Sequence, residues 1–129
     1  MIDYLSGLND RQREAVLHKD GPIMIVAGAG SGKTKVLTTR VIHLMAAHGV
    51  DAFNILALTF TNKAAKEMKE RVEKILGNGE ARNLYIGTFH SVFARILRFE
   101  AEKIGYPRNF TIYDTDDAKS VVKAVVNEM

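Results

Sequence analysis

The chain has 129 residues, 47% hydrophobic and 26% charged, with a formal net charge of +3 and no cysteine. That size is enough for one domain with a sizeable core, and the absence of cysteine excludes a disulfide framework and a thiolate metal site. No apolar run approaches the ~20 residues of a membrane span and the amino terminus lacks a signal-like pattern, so the expected location is cytoplasmic.

In chain order, Asn9 to Lys19 reads as a helix that turns Ala15 and Val16 inward and is stopped by Asp20–Gly21–Pro22. Pro22–Ile23–Met24–Ile25–Val26 is a continuous apolar run and reads as a short buried strand. Ala27–Gly28–Ala29–Gly30–Ser31–Gly32–Lys33–Thr34 then forms a glycine-rich loop. Behind it, Val36, Leu37, Val41, Leu44 and Met45 recur at helical spacing until Gly49. Strand, glycine loop and helix together are the context in which such a loop binds phosphate. Small residues let successive N–H groups converge on the anion, and the first helical turn adds unpaired donors and a favourable dipole. In that arrangement Lys33 reaches the terminal phosphates of ATP and the Thr34 hydroxyl holds Mg²⁺. Ala27 stands where the strict pattern has glycine.

Ile55 to Phe60 reads as a second buried strand, and Asn62 to Leu76 as a helix with Ala65, Met68, Val72, Ile75 and Leu76 on one face, closed by Gly77–Asn78–Gly79. Leu84 to Phe89 supplies a third strand, leading into a helix that presents Val92, Phe93, Ile96, Leu97 and Ile104 and stops at Gly105. An acidic cluster, Asp114, Asp116 and Asp117, opens a last amphipathic helix with Val121, Val122, Val125, Val126 and Met129. The pattern runs without a stop signal to Met129, which reads as a cut chain. Three strand–helix units in succession predict an α/β fold, parallel strands with crossover helices, in which the loops 27–34, 59–63 and 87–91 all leave the carboxyl edge of the sheet.

Two of those loops carry nucleic-acid chemistry. Phe60, Thr61, Asn62 and Lys63 follow one strand, and Thr88, Phe89, His90 and Ser91 follow the next. Aromatics can stack on unpaired bases, while hydroxyl, amide and ammonium groups hold a sugar–phosphate backbone without reading its sequence. Spacing alone favours core positions for Phe60 and Phe89 and a structural role for His90. The lysines and glutamates of 63–74 suit a salt-bridged solvent face.

Four ordered motifs (Leu8–Asn9–Asp10–Arg11–Gln12, the loop 27–34, Leu58 to Ala65, and Gly87–Thr88–Phe89–His90) resemble the amino-terminal part of UvrD/Rep/PcrA-type superfamily 1 DNA helicases over essentially the whole chain. The resemblance implies a P-loop NTPase of RecA-like type, a three-layer parallel sheet with helices on both faces, here incomplete because truncated. Residues 1–109 would open the first motor domain and 110–129 would begin an inserted helical subdomain. It implies that Gln12 contacts adenine, although Asn9 and Gln12 equally fit a capping box. It also implies that Ala27–Thr34 and Lys35 bind ATP, and that Phe60, Thr61, Asn62, Lys63, Thr88 and His90 line a single-stranded DNA path. Lys35 stands where relatives often carry Arg. Such helicases move 3′ to 5′ on single-stranded DNA and unwind duplex, in repair or replication. The acidic Mg²⁺-holding strand end and the late arginines that hydrolysis requires are not in this sequence, so the chain alone is expected to be inactive and to self-associate through its incomplete sheet. A stand-alone nucleotide-binding module is the alternative.

Overall fold

The computed structural model describes residues 3–28 and 32–129, which form two compact units, Met1–Val92 and Phe93–Met129. The first holds helix α1 (Asp10–Leu17), helix α2 (Lys33–Ala46), strand β1 (Leu56–Thr59), helix α3 (Asn62–Leu76) and strand β2 (Tyr85–Thr88). Helix α4 (Phe89–Glu100) begins in it, and helix α5 (Thr115–Glu128) belongs to the second unit.

β1 and β2 pair in parallel, Leu56 opposite Tyr85 and Thr59 opposite Thr88. A parallel pair needs a crossover, and α3 supplies it. Thr61 caps α3 by accepting from the Ala64 N–H at 3.1 Å, and Gly77 ends it at φ 65, where a side chain would be strained. Between these signals the predicted face forms the core: Ala65, Met68 and Val72 are buried with Val41, Ile42 and Met45 of α2, Ala57 and Ile86 of the strands, and Leu84.

The sheet contradicts one expectation. Residues 22–26 do not form a strand: the segment is irregular, with Met24 87% and Val26 90% exposed. An extended apolar run becomes a strand only where a neighbour satisfies its backbone N–H and C=O groups. Among the described residues the only ladder is β1 with β2, so two strands form where three were expected, and a three-layer architecture is not reached.

α1 is shorter than the predicted Asn9–Lys19, with Asn9 as its cap and His18 just past its end. Its Ala15 and Val16 pack against Val36 of α2, with Leu5 and Leu8 alongside. α2 buries two hydroxyls as well, Thr38 and Thr39, which donate to the carbonyls of Thr34 and Lys35, each at 2.7 Å. Such bonds to the preceding turn are the usual way a helix hides a threonine. Near its end His43 is buried, its Nδ1 3.0 Å from the Tyr4 hydroxyl and its ring edge-on to His48.

In the second unit α5 forms as predicted despite its valines, because Asp114 and Asp117 make a reciprocal capping box. Its apolar stripe is exposed, and so are Phe93 and Leu97 of α4, which were expected in the core. The organising contact is Arg98, whose guanidinium lies 4.7 Å from the Phe110 ring and donates to the carbonyls of Arg108 at 2.9 Å and Phe110 at 3.3 Å.

Candidate nucleotide site and nucleic-acid face

The glycine loop delivers the chain into α2 through Gly32, which sits at φ 80 as the helix N-cap. A Cβ there would be strained and would stand 3.1 Å from Gln12 Nε2, so the loop and the first motif meet at a position only glycine fits well. Lys33 and Thr34 begin the helix, exposed, on the turn whose N–H groups have no intrahelical partner. Ala27 is half-buried and Gly28 exposed at the other end of the loop, while Ala29, Gly30 and Ser31 lie outside the described residues.

A cavity of about 230 Å³ opens beside this turn, lined by Asn9, Arg11, Gln12 and Ala15 on one side, Ile25, Val26 and Ala27 on a second, and Lys33 and Val36 on the third. It falls below the roughly 300–1,000 Å³ of a whole drug-sized site, which makes it room for part of a ligand. Apolar walls meet two amides and two cations there, a composition suited to a heterocycle joined to an anion.

Of the two roles expected of Gln12, the structure shows the capping one. Its Oε1 accepts from the Asn9 N–H at 3.0 Å and its own N–H donates to Asn9 Oδ1 at 2.9 Å, so the capping box is formed. Its Nε2 stands beside Gly32, 3.1 Å from where a Cβ there would be. Lys35 is brought elsewhere: its ammonium donates to the Gly7 carbonyl at 2.8 Å.

The second cluster follows from strand register. Thr59 lies opposite Thr88, so both strand ends open side by side. Thr59 Oγ1 donates to the Thr61 carbonyl at 3.0 Å and fixes the bend. Phe60 emerges from that bend 94% exposed, and Phe89 lies beside it, half exposed, with ring centroids 6.1 Å apart at 39°. The expectation that spacing places both rings in the core is therefore corrected. Each follows a strand end directly, Phe60 in the bend before α3 and Phe89 as the first residue of α4. His90 is likewise exposed rather than a buried structural histidine, as are Asn62 and Lys63 on the first turn of α3. Thr61 spends its hydroxyl on the α3 cap, and Thr88 accepts from the Ser91 N–H at 3.2 Å and donates to Ser91 Oγ at 2.9 Å. On α3 itself, Lys66 and Glu70 pair across one turn at 3.8 Å, both largely exposed to solvent.

Three features of these sites carry little sequence signal. Gly87 permits the close start of α4, since a Cβ there would lie 2.7 Å from Ser91 Oγ and 2.8 Å from Val92 Cγ2. Phe89 joins Phe60, and only the strand register reveals it. Arg40 donates through Nη1 to the carbonyls of Ala15, at 2.8 Å, and of His18. The one hint was its place on the helix behind the loop.

The chain belongs to the UvrD/REP helicase N-terminal domain family, whose family model matches residues 8–129. Among curated proteins it is 59% identical over 124 residues to the ATP-dependent DNA helicase PcrA of Bacillus subtilis, an alignment covering 96% of this chain. It is 53% identical over 126 residues to the PcrA helicase of Staphylococcus aureus, and 54% identical over 126 residues to that of Staphylococcus epidermidis, each covering 98% of this chain. The chain spans 17% of the length of these relatives.

Proposed function

We propose that this chain is the nucleotide-binding opening of an ATP-dependent DNA helicase, residues 1–109 beginning a RecA-like motor domain and residues 110–129 an inserted helical subdomain. The observation that carries the reading is the cavity at the start of α2 whose lining includes both Gln12 and Lys33. The phosphates of ATP lie on residues 27–34, with Lys33 neutralising their charge and the helix N-terminus adding its donors. Adenine enters the cavity against Gln12. Thr34, exposed on the first turn, offers a hard oxygen ligand of the kind Mg²⁺ takes together with phosphate oxygens. Bound Mg²⁺ would neutralise the charge that develops on the phosphates.

Single-stranded DNA crosses the open ends of β1 and β2. Phe60 stacks on a base, Asn62, Lys63 and His90 contact the backbone, and Thr61 and Thr88 shape the two turns. Neighbouring relatives carry the name ATP-dependent DNA helicase, and 3′-to-5′ translocation with duplex unwinding is the activity proposed for the whole protein. The deciding experiment is titration with MgATP in wild-type and Lys33→Ala protein. A loss of at least about tenfold in affinity is expected, the scale of one charge-assisted hydrogen bond, and equal affinity in the two proteins would defeat the reading.

A further inference from the structure

α1 has eight residues, too few to hold a helix in place by its own hydrogen bonds. Its position is set from outside, and α2 sets it at both ends. Lys35 Nζ holds the Gly7 carbonyl just before the Asn9 cap. Arg40 Nη1 holds the carbonyls of Ala15 and His18 at the far end. Those carbonyls belong to the end of a helix where acceptors lack intrahelical donors and the dipole favours a cation. One guanidinium nitrogen bears two N–H groups, which lets a single atom serve two converging carbonyls. Ala15, whose carbonyl Arg40 grips, also lines the cavity, and Gln12 lies one turn before it on the same helix.

We propose that Arg40 is a positioning residue for base recognition: by clamping the carboxyl end of α1 it fixes the Gln12–Ala15 wall of the cavity against Lys33 and Val36 of α2. This rests on the nucleotide reading above and extends it. Arg40 lies two helical turns beyond Lys33, and its clamp bears on the α1 wall alone. Losing it therefore loosens the α1 wall, while Lys33 and Thr34 stay on the first turn of α2.

The test compares MgATP with Mg-tripolyphosphate, which has the phosphates and no base, as ligands of the full-length natural protein. Arg40→Met keeps the aliphatic stem and removes the clamp. It is expected to weaken ATP about tenfold, the loss of one charge-assisted bond, and to leave tripolyphosphate within about twofold of wild type, the scatter of independent sites. Gln12→Ala should give the same selective loss, and the double variant should lose less than the sum, as residues acting through one wall do. A merely structural role would weaken both ligands together. Should Arg40→Met fail to fold, Arg40→Lys retains a shorter cation at that helix end and is expected to show a smaller loss of the same selectivity. Wild-type selectivity in every variant that folds, or equal loss of both ligands, overturns the proposal. If wild type itself does not prefer ATP over tripolyphosphate, the base site fails and the clamp's role with it. If Lys33→Ala leaves both ligands unaffected, the phosphate end of the nucleotide reading fails separately.

Discussion

Single residues decide where this chain's chemistry stands, and two of them make sharp predictions. At Gly87 a Cβ would collide with Ser91 Oγ at 2.7 Å and Val92 Cγ2 at 2.8 Å. Gly87→Ala must push the start of α4 off the end of β2. A destabilisation of about 1–3 kcal/mol, as for overpacking elsewhere, is expected in denaturant melts, and an unchanged midpoint would mean that α4 yields freely. His43 supplies a pH dependence. Burial first, then electrostatic repulsion from His48 and from the Arg40 guanidinium, hold its imidazole below its ordinary pKa of 6.5, and its Nδ1 is hydrogen-bonded with the Tyr4 hydroxyl. The unfolded chain therefore takes up this proton at a higher pH than the native one does. The stability due to neutral His43 is complete above about pH 6.5 and drains away as pH falls through the lowered native value. His43→Phe should flatten that part of the pH–stability curve in melts run from pH 7.5 to 5, and a curve of unchanged slope would contradict the assignment. Neither the Tyr4–His43 pair nor the Arg40 clamp was legible in the sequence, because 39 and 25 residues separate the partners. A side chain's partner across such a distance is decided by packing, and local patterns carry no trace of it. The Asn9–Gln12 box was legible, since its partners are three residues apart and the spacing itself is the signal.

At the scale of elements, helices announced themselves and strands did so only in part. α3 has a capping threonine, a repeating apolar face and a closing glycine, and it forms where these signals place it. The apolar runs at 55–60 and 84–89 became β1 and β2, each trimmed at its ends. The equally apolar run at 22–26 did not, because a strand is a relation between two segments and its sequence describes one. The strand ends also settle what periodicity misjudged. A phenylalanine directly after a parallel strand has left the sheet, so Phe60 and Phe89 come out as an adjacent aromatic pair on the surface. From its exposure, Phe60→Ala should leave the melting temperature unchanged. If a base stacks there, the same substitution lowers single-stranded DNA affinity by about 1–3 kcal/mol with little dependence on sequence. Fluorescence anisotropy with oligo-dT and a mixed-sequence strand reads both parts, and full retention of affinity would remove the stacking role. Asn62, Lys63 and His90 around the pair are exposed too, so the loss should come with a steep salt dependence that persists in the Phe60→Ala protein.

For the whole molecule the unsettled account is apolar surface. Ile23, Met24, Ile25 and Val26 remain exposed in the first unit, together with Leu56 on β1, and among the described residues the sheet has two strands. A contiguous exposed apolar stretch is a docking surface for another chain, and a net charge of +3 offers little repulsion against it. In longer relatives, of which this chain spans 17%, other segments can cover the same surface. For the 129-residue chain alone the surface must find cover from a second copy or stay wet. Each fully buried Met or Val contributes about 1.5–3 kcal/mol, so three such side chains on each copy supply up to about 18 kcal/mol, which leaves about the 8 kcal/mol of a micromolar complex when the cost of joining two bodies is toward the lower part of its range of roughly 4–15 kcal/mol. The isolated chain is therefore expected to self-associate over roughly the micromolar range in sedimentation experiments. Val26→Lys should return it to a monomer, because a charge within the exposed apolar stretch must be desolvated before a second copy can cover it. The substitution costs the native fold little, since Val26 is already 90% exposed. A sharp monomer across that whole concentration range would mean that segment 22–26 is not an adhesive surface, and the same result for wild type and Val26→Lys would place any association elsewhere, the exposed valine stripe of α5 being the next surface to charge.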